Sequence, residues 1–291
     1  MFEGTGTALI TPFKADGGLD EDGIRRMVEF QEAGGVDTLV PCGTTGESAT
    51  LSHDEHRRVI ELTVKYRKRA RVLAGTGSNS TVEAVGLTRH AKDAGADGAL
   101  VITPYYNKPT MRGMLAHYEE LSKLDFPMVV YNVPGRTAVN VDVQTMLKIA
   151  GLPNVVGAKE ASGNVGQIMD LLAKTPKGFT VLSGDDSLTF PLMALGAKGV
   201  ISVASNLVPS EVARMVNAML GGRFEEAREL HFRLLPLFEQ LFLETSPIPV
   251  KAAAGAMGLP AGPLRMPLTK MDESKFEVLR ATLVRLGALK G

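Results

Sequence analysis

Eight short apolar runs alternate with amphipathic segments as far as about residue 220, and no other feature narrows the fold as much. The runs are Thr7-Ala8-Leu9-Ile10, Thr38-Leu39-Val40-Pro41-Cys42, Arg71-Val72-Leu73-Ala74-Gly75, Ala99-Leu100-Val101-Ile102, Met128-Val129-Val130-Tyr131, Asn154-Val155-Val156-Gly157-Ala158, Thr180-Val181-Leu182 and Gly199-Val200-Ile201-Ser202-Val203. Helical patterns lie between them. One opens near Asp20 and carries Ile24, Met27 and Val28 on one face. Ser52-His53-Asp54-Glu55 has capping-box spacing, in which a hydroxyl and a carboxylate satisfy each other's backbone, and this sets a helix start. Ser80-Thr81-Val82-Glu83 repeats the spacing, with Ala84, Leu87, Ala91 and Ala94 on one stripe behind it. Further helices are expected from about Thr110, from Asp142 to Ile149, from Val165 to Ala173, from Ser187 to Leu195 and from Pro209. The strand–helix units recur roughly every 25 to 30 residues. Uninterrupted apolar strands joined by helical crossovers imply a parallel sheet covered on both faces. Eight units favour a closed (β/α)8 TIM barrel, although an open doubly wound α/β sheet has the same local pattern.

The strand signal stops near residue 222. Glu225 to Glu244, Val250 to Met257 and Ser274 to Leu286 read as helices, with Pro247, Pro249, Pro260 and Pro263 at the corners. The expected organisation is a catalytic barrel over residues 1–222 and a small C-terminal all-helical domain over 223–291. The 32 basic and 32 acidic residues cancel, which gives no hint of nucleic acid or of an anionic membrane. A single cysteine, Cys42, excludes an intrachain disulfide framework and fits a reducing, cytoplasmic setting. Neither a signal peptide nor a membrane-spanning run is visible, and the histidines are too scattered for a zinc site.

The sixth run ends in Lys159-Glu160. An ammonium at the end of a buried strand is costly to desolvate, so its pKa falls. The neutral amine that results can attack a ketone or aldehyde and form a Schiff base. The carboxyl ends of the strands are the working face of such a barrel. The second strand delivers Gly43-Thr44-Thr45-Gly46-Glu47-Ser48, whose amides and hydroxyls can nest a small carboxylate. The fourth ends at Thr103-Pro104-Tyr105-Tyr106-Asn107 and the fifth at Tyr131-Asn132-Val133-Pro134-Gly135-Arg136-Thr137. The planar Arg136 fork suits a carboxylate. The seventh ends at Ser183-Gly184-Asp185-Asp186, and two aspartates there oppose a phosphorylated ligand. No phosphate cup for pyridoxal phosphate is visible.

Together with Leu9-Ile10-Thr11-Pro12-Phe13, these segments occur in the order found in a known family. The chain closely resembles the dihydrodipicolinate synthases (4-hydroxy-tetrahydrodipicolinate synthases), of the class I pyruvate-dependent aldolase/lyase superfamily, over essentially its whole length. The resemblance implies that Lys159 forms an imine with pyruvate and needs no other cofactor and no metal. It implies that Thr44 and Thr45 hold the pyruvate carboxylate. Tyr131 would be the general acid/base, in a proton relay with Thr44 and with a Tyr106 that crosses from a neighbouring subunit. Arg136 would hold the carboxylate of L-aspartate 4-semialdehyde, with Ile201 and Gly184 as further substrate-binding positions. The implied reaction is condensation of the two substrates to 4-hydroxy-tetrahydrodipicolinate, in the diaminopimelate and lysine pathway. A homo-oligomer is implied, a tetramer built as a dimer of dimers.

The same resemblance places Ser48, Ala49, His53, His56, Asn79, Glu83 and Tyr105 at the positions that bind L-lysine in feedback-inhibited members. Two other functions share parts of the pattern. An N-acetylneuraminate lyase or 2-keto-3-deoxy sugar acid aldolase would keep the lysine, the threonine pair and the tyrosine, but Arg136 favours a small carboxylated aldehyde over a polyol. A non-catalytic keto-acid sensor on the same barrel would be expected to have lost Lys159 or Tyr131, and neither is lost.

Overall fold

A computed structural model describes residues 1–290. Its strands are Gly4–Ala8 (β1), Thr38–Val40 (β2), Arg71–Gly75 (β3), Gly98–Ile102 (β4), Met128–Asn132 (β5), Val155–Glu160 (β6), Thr180–Ser183 (β7) and Gly199–Ser202 (β8). Each pairs in parallel with the next, and β8 returns to β1, so the sheet is a closed barrel. Closure settles the choice that strand counting left open. The helices are Glu21–Ala33 (α1), His53–Tyr66 (α2), Thr81–Asp93 (α3), Met111–Ser122 (α4), Pro134–Thr137 (α5), Val143–Ala150 (α6), Val165–Lys174 (α7), Thr189–Ala194 (α8) and Pro209–Leu220 (α9). Phe224–Gln240 (α10), Ile248–Ala256 (α11) and Glu273–Arg285 (α12) follow the last strand. α10 packs against α9 and α12, and α11 against α12.

Alternation along the strands divides the apolar residues between two cores. Ala8, Val40, Leu73, Leu100, Val129, Leu182 and Ile201 belong to a cluster that also holds Phe2 and Tyr131. These residues fill the barrel interior, as expected of a packed core rather than a pore. The larger cluster lies between the strands and the helices and includes Ile24, Met27 and Val28 of α1, as their spacing predicts. Among the described residues no helix is long and apolar enough to cross a membrane.

The caps follow the sequence closely. Ser52 and Glu55 form the full box at α2, and Asp20, Thr110, Asp142 and Asn164 cap their helices as single acceptors. The box at Ser80 is only half made. Ser80 Oγ accepts from the Glu83 amide, but the Ser80 amide is taken by Ser78 Oγ. The Glu83 carboxylate turns instead to His53 and Ser78. The expected helix from Ser187 to Leu195 is split into a 3-10 turn, Asp186–Leu188, and α8. Asp185 captures the Ser187 amide and hydroxyl, and Pro191, which lacks an N–H, is tolerated only in the first turn of a helix that restarts at Thr189. The helix expected to reach Glu244 stops at Gln240, where two backbone turns lead toward α11. The short α5, with Pro134 at its start, has no apolar periodicity to announce it.

Candidate active site

The pairing of β5 with β6 sets Tyr131 opposite Lys159 and Asn132 opposite Glu160. Odd positions point inward here, so Tyr131 and Lys159 become neighbours inside the barrel near its carboxyl end. The Lys159 Nζ lies 4.1 Å from the centroid of the Tyr131 ring. Lys159 is 5% exposed and Tyr131 7%. Gly184 stands at the end of the adjacent β7, where an added Cβ would come within 3.0 Å of Lys159 Cε and 2.8 Å of Ala161 Cβ. The missing side chain is what leaves the lysine its room. Ile201, 1% exposed on β8, forms part of the interior cluster.

Burial sets the electrostatics. Desolvation drives the Lys159 ammonium down to about 7; the Asp186 carboxylate opposes that shift and the Arg136 charge adds to it. Desolvation pushes the Tyr131 phenol up to about 12, while the Arg136 charge and the Thr44 hydroxyl pull the other way. Near pH 7 a substantial fraction of the amine is therefore neutral, beside a phenol that keeps its proton. Glu160, on the outward side of β6, is also buried and raised to about 7 by desolvation, against hydrogen bonds from Asn132 and Ser162. It orders the strand ends from behind and does not share the interior with Lys159.

Above this pair opens a cavity of about 1210 Å³, whose wall includes Thr44, Tyr131, Arg136, Tyr105, Tyr106 and Ser246. Lys159 is not itself part of this wall; it adjoins it through the Tyr131 ring. Thr44 is half-buried and Thr45 buried, in the turn after β2. Gly75 is needed below this turn, because a Cβ there would meet the Cys42 carbonyl at 2.3 Å. Arg136 stands on α5 and is exposed, with Nη2 donating to the Ser246 carbonyl at 3.0 Å. Tyr106 is 88% exposed in a left-handed conformation, φ 72°. It stands at the mouth and belongs to no buried cluster of its own chain.

Ser48, Ala49, His53, His56 and Glu83 line the same cavity, as Tyr105 does. His53 Nε2 lies 2.6 Å from Glu83 Oε1, and Ser78 Oγ donates to the other Glu83 oxygen. These contacts hold the Glu83 carboxyl below the usual carboxylate range, with Ser78 the largest cause. His56 is buried beside them, and desolvation lowers its imidazole to about 4. Asn79 lies close by in sequence, its carbonyl accepting from Asn107 Nδ2 at 2.8 Å, but it is not part of the wall. Among the described residues no group of three or more His, Cys, Asp or Glu is placed to hold a metal ion.

Three buried charged residues hold the site together in ways that the sequence does not announce. Glu47 and Lys251 pair at 2.7 Å, with side-chain exposures of 0% and 2%. Asp186 accepts the Val203 and Ala204 amides and so ties the β7 end to the turn after β8. Lys251 did carry a signal. It is the one charged residue in Ile248-Pro249-Val250-Lys251-Ala252-Ala253-Ala254, as Lys159 is the one basic residue of its apolar strand.

A closed (β/α)8 barrel with a desolvated lysine against a buried tyrosine at its carboxyl rim is the arrangement that a lyase of the class I aldolase type would need. Residues 1–286 match the dihydrodipicolinate synthetase family. The chain belongs to that family. It is 53% identical to the 4-hydroxy-tetrahydrodipicolinate synthase of Syntrophobacter fumaroxidans, over 99% of this chain and 100% of the relative. The crystal structure of dihydrodipicolinate synthase from Aquifex aeolicus superposes with a TM-score of 0.97 at 48% identity, covering 100% of both chains. The lysine-bound enzyme from Cyanidioschyzon merolae superposes at 0.96, with 41% identity and 99% of each chain covered.

Proposed function

We infer that the chain condenses pyruvate with L-aspartate 4-semialdehyde to 4-hydroxy-tetrahydrodipicolinate. The observation that carries this is the register of β5 on β6, which sets a lysine that is easily deprotonated against a protonated phenol, both buried. Full-length relatedness to enzymes of that name supports it over a sugar-acid aldolase. Lys159 attacks the pyruvate ketone, water leaves, and the cationic imine acidifies the methyl group. Loss of a methyl proton gives an enamine, which adds to the semialdehyde carbonyl. The amine of that substrate then closes the ring and releases the lysine. No external cofactor enters these steps. Tyr131 gives and takes protons in this reading, with Thr44 and the Tyr106 of a neighbouring copy completing its relay. Thr44 and Thr45 receive the pyruvate carboxylate, and Gly184 and Ile201 shape the space around the imine. We further read residues 223–291 as a helical domain appended to a barrel of residues 1–222, the enzyme as a cytoplasmic tetramer, and the His53–Glu83 side of the cavity as a site for L-lysine.

The direct test is pyruvate consumption with aspartate 4-semialdehyde against sugar aldehydes. Turnover is expected with the former only; turnover with sugar aldehydes alone would sink the assignment. Two expectations follow from the site itself. With Lys159 titrating near 7, borohydride capture of pyruvate at low pyruvate concentration should rise about tenfold per pH unit below that value. Above it the rate should level, because the amine is already neutral. A rate still climbing at pH 9 would contradict the buried-amine account.

Arg136→Ala should raise the KM for the semialdehyde roughly 10- to 100-fold, since a charge-assisted hydrogen bond is worth about 1.5–3 kcal/mol. The pyruvate KM should move little. Equal changes in both constants would remove Arg136 from the second-substrate role. For the regulatory reading, isothermal titration should register L-lysine binding at millimolar concentration, and Glu83→Ala should abolish it. A flat titration of the unaltered protein ends that reading.

A further inference from the structure

We propose that Lys251 and Glu47 form a buried positioning pair through which the C-terminal helices hold the Thr44–Thr45 turn in its keto-acid-receiving geometry. The proposal rests on the reading of those two threonines as the carboxylate site. Glu47 closes the turn in a left-handed conformation, φ 54°, which disfavours any residue with a side chain. Its amide donates to the Thr44 carbonyl at 3.1 Å, so its backbone and the position of Thr44 are linked. Its side chain does not face the cavity solvent but runs into the protein, where both oxygens are taken. Oε1 accepts from Lys251 Nζ at 2.7 Å and Oε2 from the Arg265 amide at 3.0 Å.

Lys251, on α11, is saturated. Besides Glu47, its ammonium donates to the Pro263 carbonyl at 2.7 Å and to the Thr11 carbonyl at 3.2 Å. It also lies 4.4 Å from the centroid of the Phe13 ring. Thr11 in turn donates its hydroxyl to the Gly46 carbonyl at 2.6 Å, on the same turn. One ammonium thus gathers the loop after β1, the turn after β2 and the segment after α11. The chain of contacts runs from α11 through Lys251 and Glu47 to the Thr44 carbonyl.

A purely stabilising role is a poor explanation of such a pair. Burying two charges in a protein interior roughly cancels their attraction, and well-packed apolar residues often serve stability as well or better. What the pair supplies is direction. It holds a strained turn in one place with fixed hydrogen-bond geometry, and that turn carries Thr44, whose hydroxyl bonds Tyr131, and Thr45 next to it in sequence. Misplacing such groups by about an ångström is enough to weaken catalysis up to a hundredfold.

The test compares Glu47→Gln, Lys251→Met and the double variant Glu47→Gln/Lys251→Met in the full-length protein, each assayed well below its own Tm. Pyruvate KM is expected to rise about tenfold in each, with kcat changed less than about threefold. The single variants should melt several degrees lower, and the double variant, with no uncompensated charge, should regain most of that loss without regaining the pyruvate KM. If Lys251→Met does not fold, the isosteric Glu47→Gln carries the test. A folded Glu47→Gln or double variant with unaltered pyruvate KM overturns the proposal. Thr45→Val, run alongside, separates the two ideas. A raised KM there with none in Glu47→Gln removes the positioning pair alone; an unaltered KM in both removes the carboxylate site as well.

Discussion

Lys159→Ala is expected to lose roughly 10⁵- to 10⁶-fold in kcat, the scale seen when a covalent nucleophile is deleted from an otherwise intact site. Borohydride with pyruvate should add mass at Lys159 in the native protein and nowhere in the variant. The loss should not come from unfolding. Lys159 is 5% exposed and its ammonium is driven down by desolvation, so the native fold carries a cost for holding it near neutral pH. The sign follows from linkage: a lysine depressed in the folded state binds fewer protons than the unfolded chain between about 7 and its ordinary value near 10.4, so its burden on stability is largest below 7 and fades as pH rises. Removing the amine relieves that burden, while the gap left beside Gly184 subtracts some packing. Lys159→Met, which keeps the volume, should therefore melt at or above the native temperature at pH 6. An inactive Lys159→Met that melts many degrees lower would mean that the lysine is structural. A Lys159→Ala variant that keeps its activity would mean that another group makes the covalent bond.

The reason Lys159 could be found at all lies in how barrels distribute information along the chain. Strand cores such as Met128-Val129-Val130 are apolar on both faces, so any polar residue at a strand's end stands out. Lys159, Tyr131 and the Thr44–Thr45 turn are all of this kind, and they were legible. The helix starts were legible for a related reason, because caps such as Ser52 with Glu55 act within one turn and need no tertiary partner. The half-made box at Ser80 shows where locality ends. Glu83 had the right spacing, but His53 and Ser78 outbid the local backbone, and both belong to other elements or turns. The Glu47–Lys251 pair spans 204 residues of sequence, and no local pattern predicts which acid a buried lysine will meet. Closure of the barrel is likewise a property of the β8–β1 pairing, not of any one segment. Tyr106 marks a further limit. Its 88% exposure in a single chain is consistent with a role completed by another copy, and only the family resemblance suggested one.

Tyr131→Phe should slow turnover by roughly 10²- to 10⁴-fold, the usual contribution of a positioned acid or base, while leaving the fold and the first covalent step in place. The ring remains to pack in the barrel interior and to cover Lys159 from 4.1 Å, and only the hydroxyl is removed. Burial has pushed that hydroxyl up to about 12, so near neutral pH it is a proton donor almost to the last molecule. As a base it is poorer than a free tyrosine. Its loss should therefore slow the departure of water from the first adduct, which needs a proton delivered, and should slow abstraction of the pyruvate methyl proton by breaking the relay that carries it away. Two measurements separate these. Borohydride capture of pyruvate at Lys159 should still go to completion in Tyr131→Phe, given time. Exchange of the pyruvate methyl protons in deuterated water, which requires the enamine but no second substrate, should fall at least as far as turnover does. Thr44→Val should reproduce a milder version of the same exchange defect, because the Thr44 hydroxyl acts on Tyr131 and not on the amine. Unimpaired methyl exchange in Tyr131→Phe would take the phenol out of the proton path and leave Lys159 with a different acid/base partner, for which the buried Asp186 carboxylate would be the first group to examine.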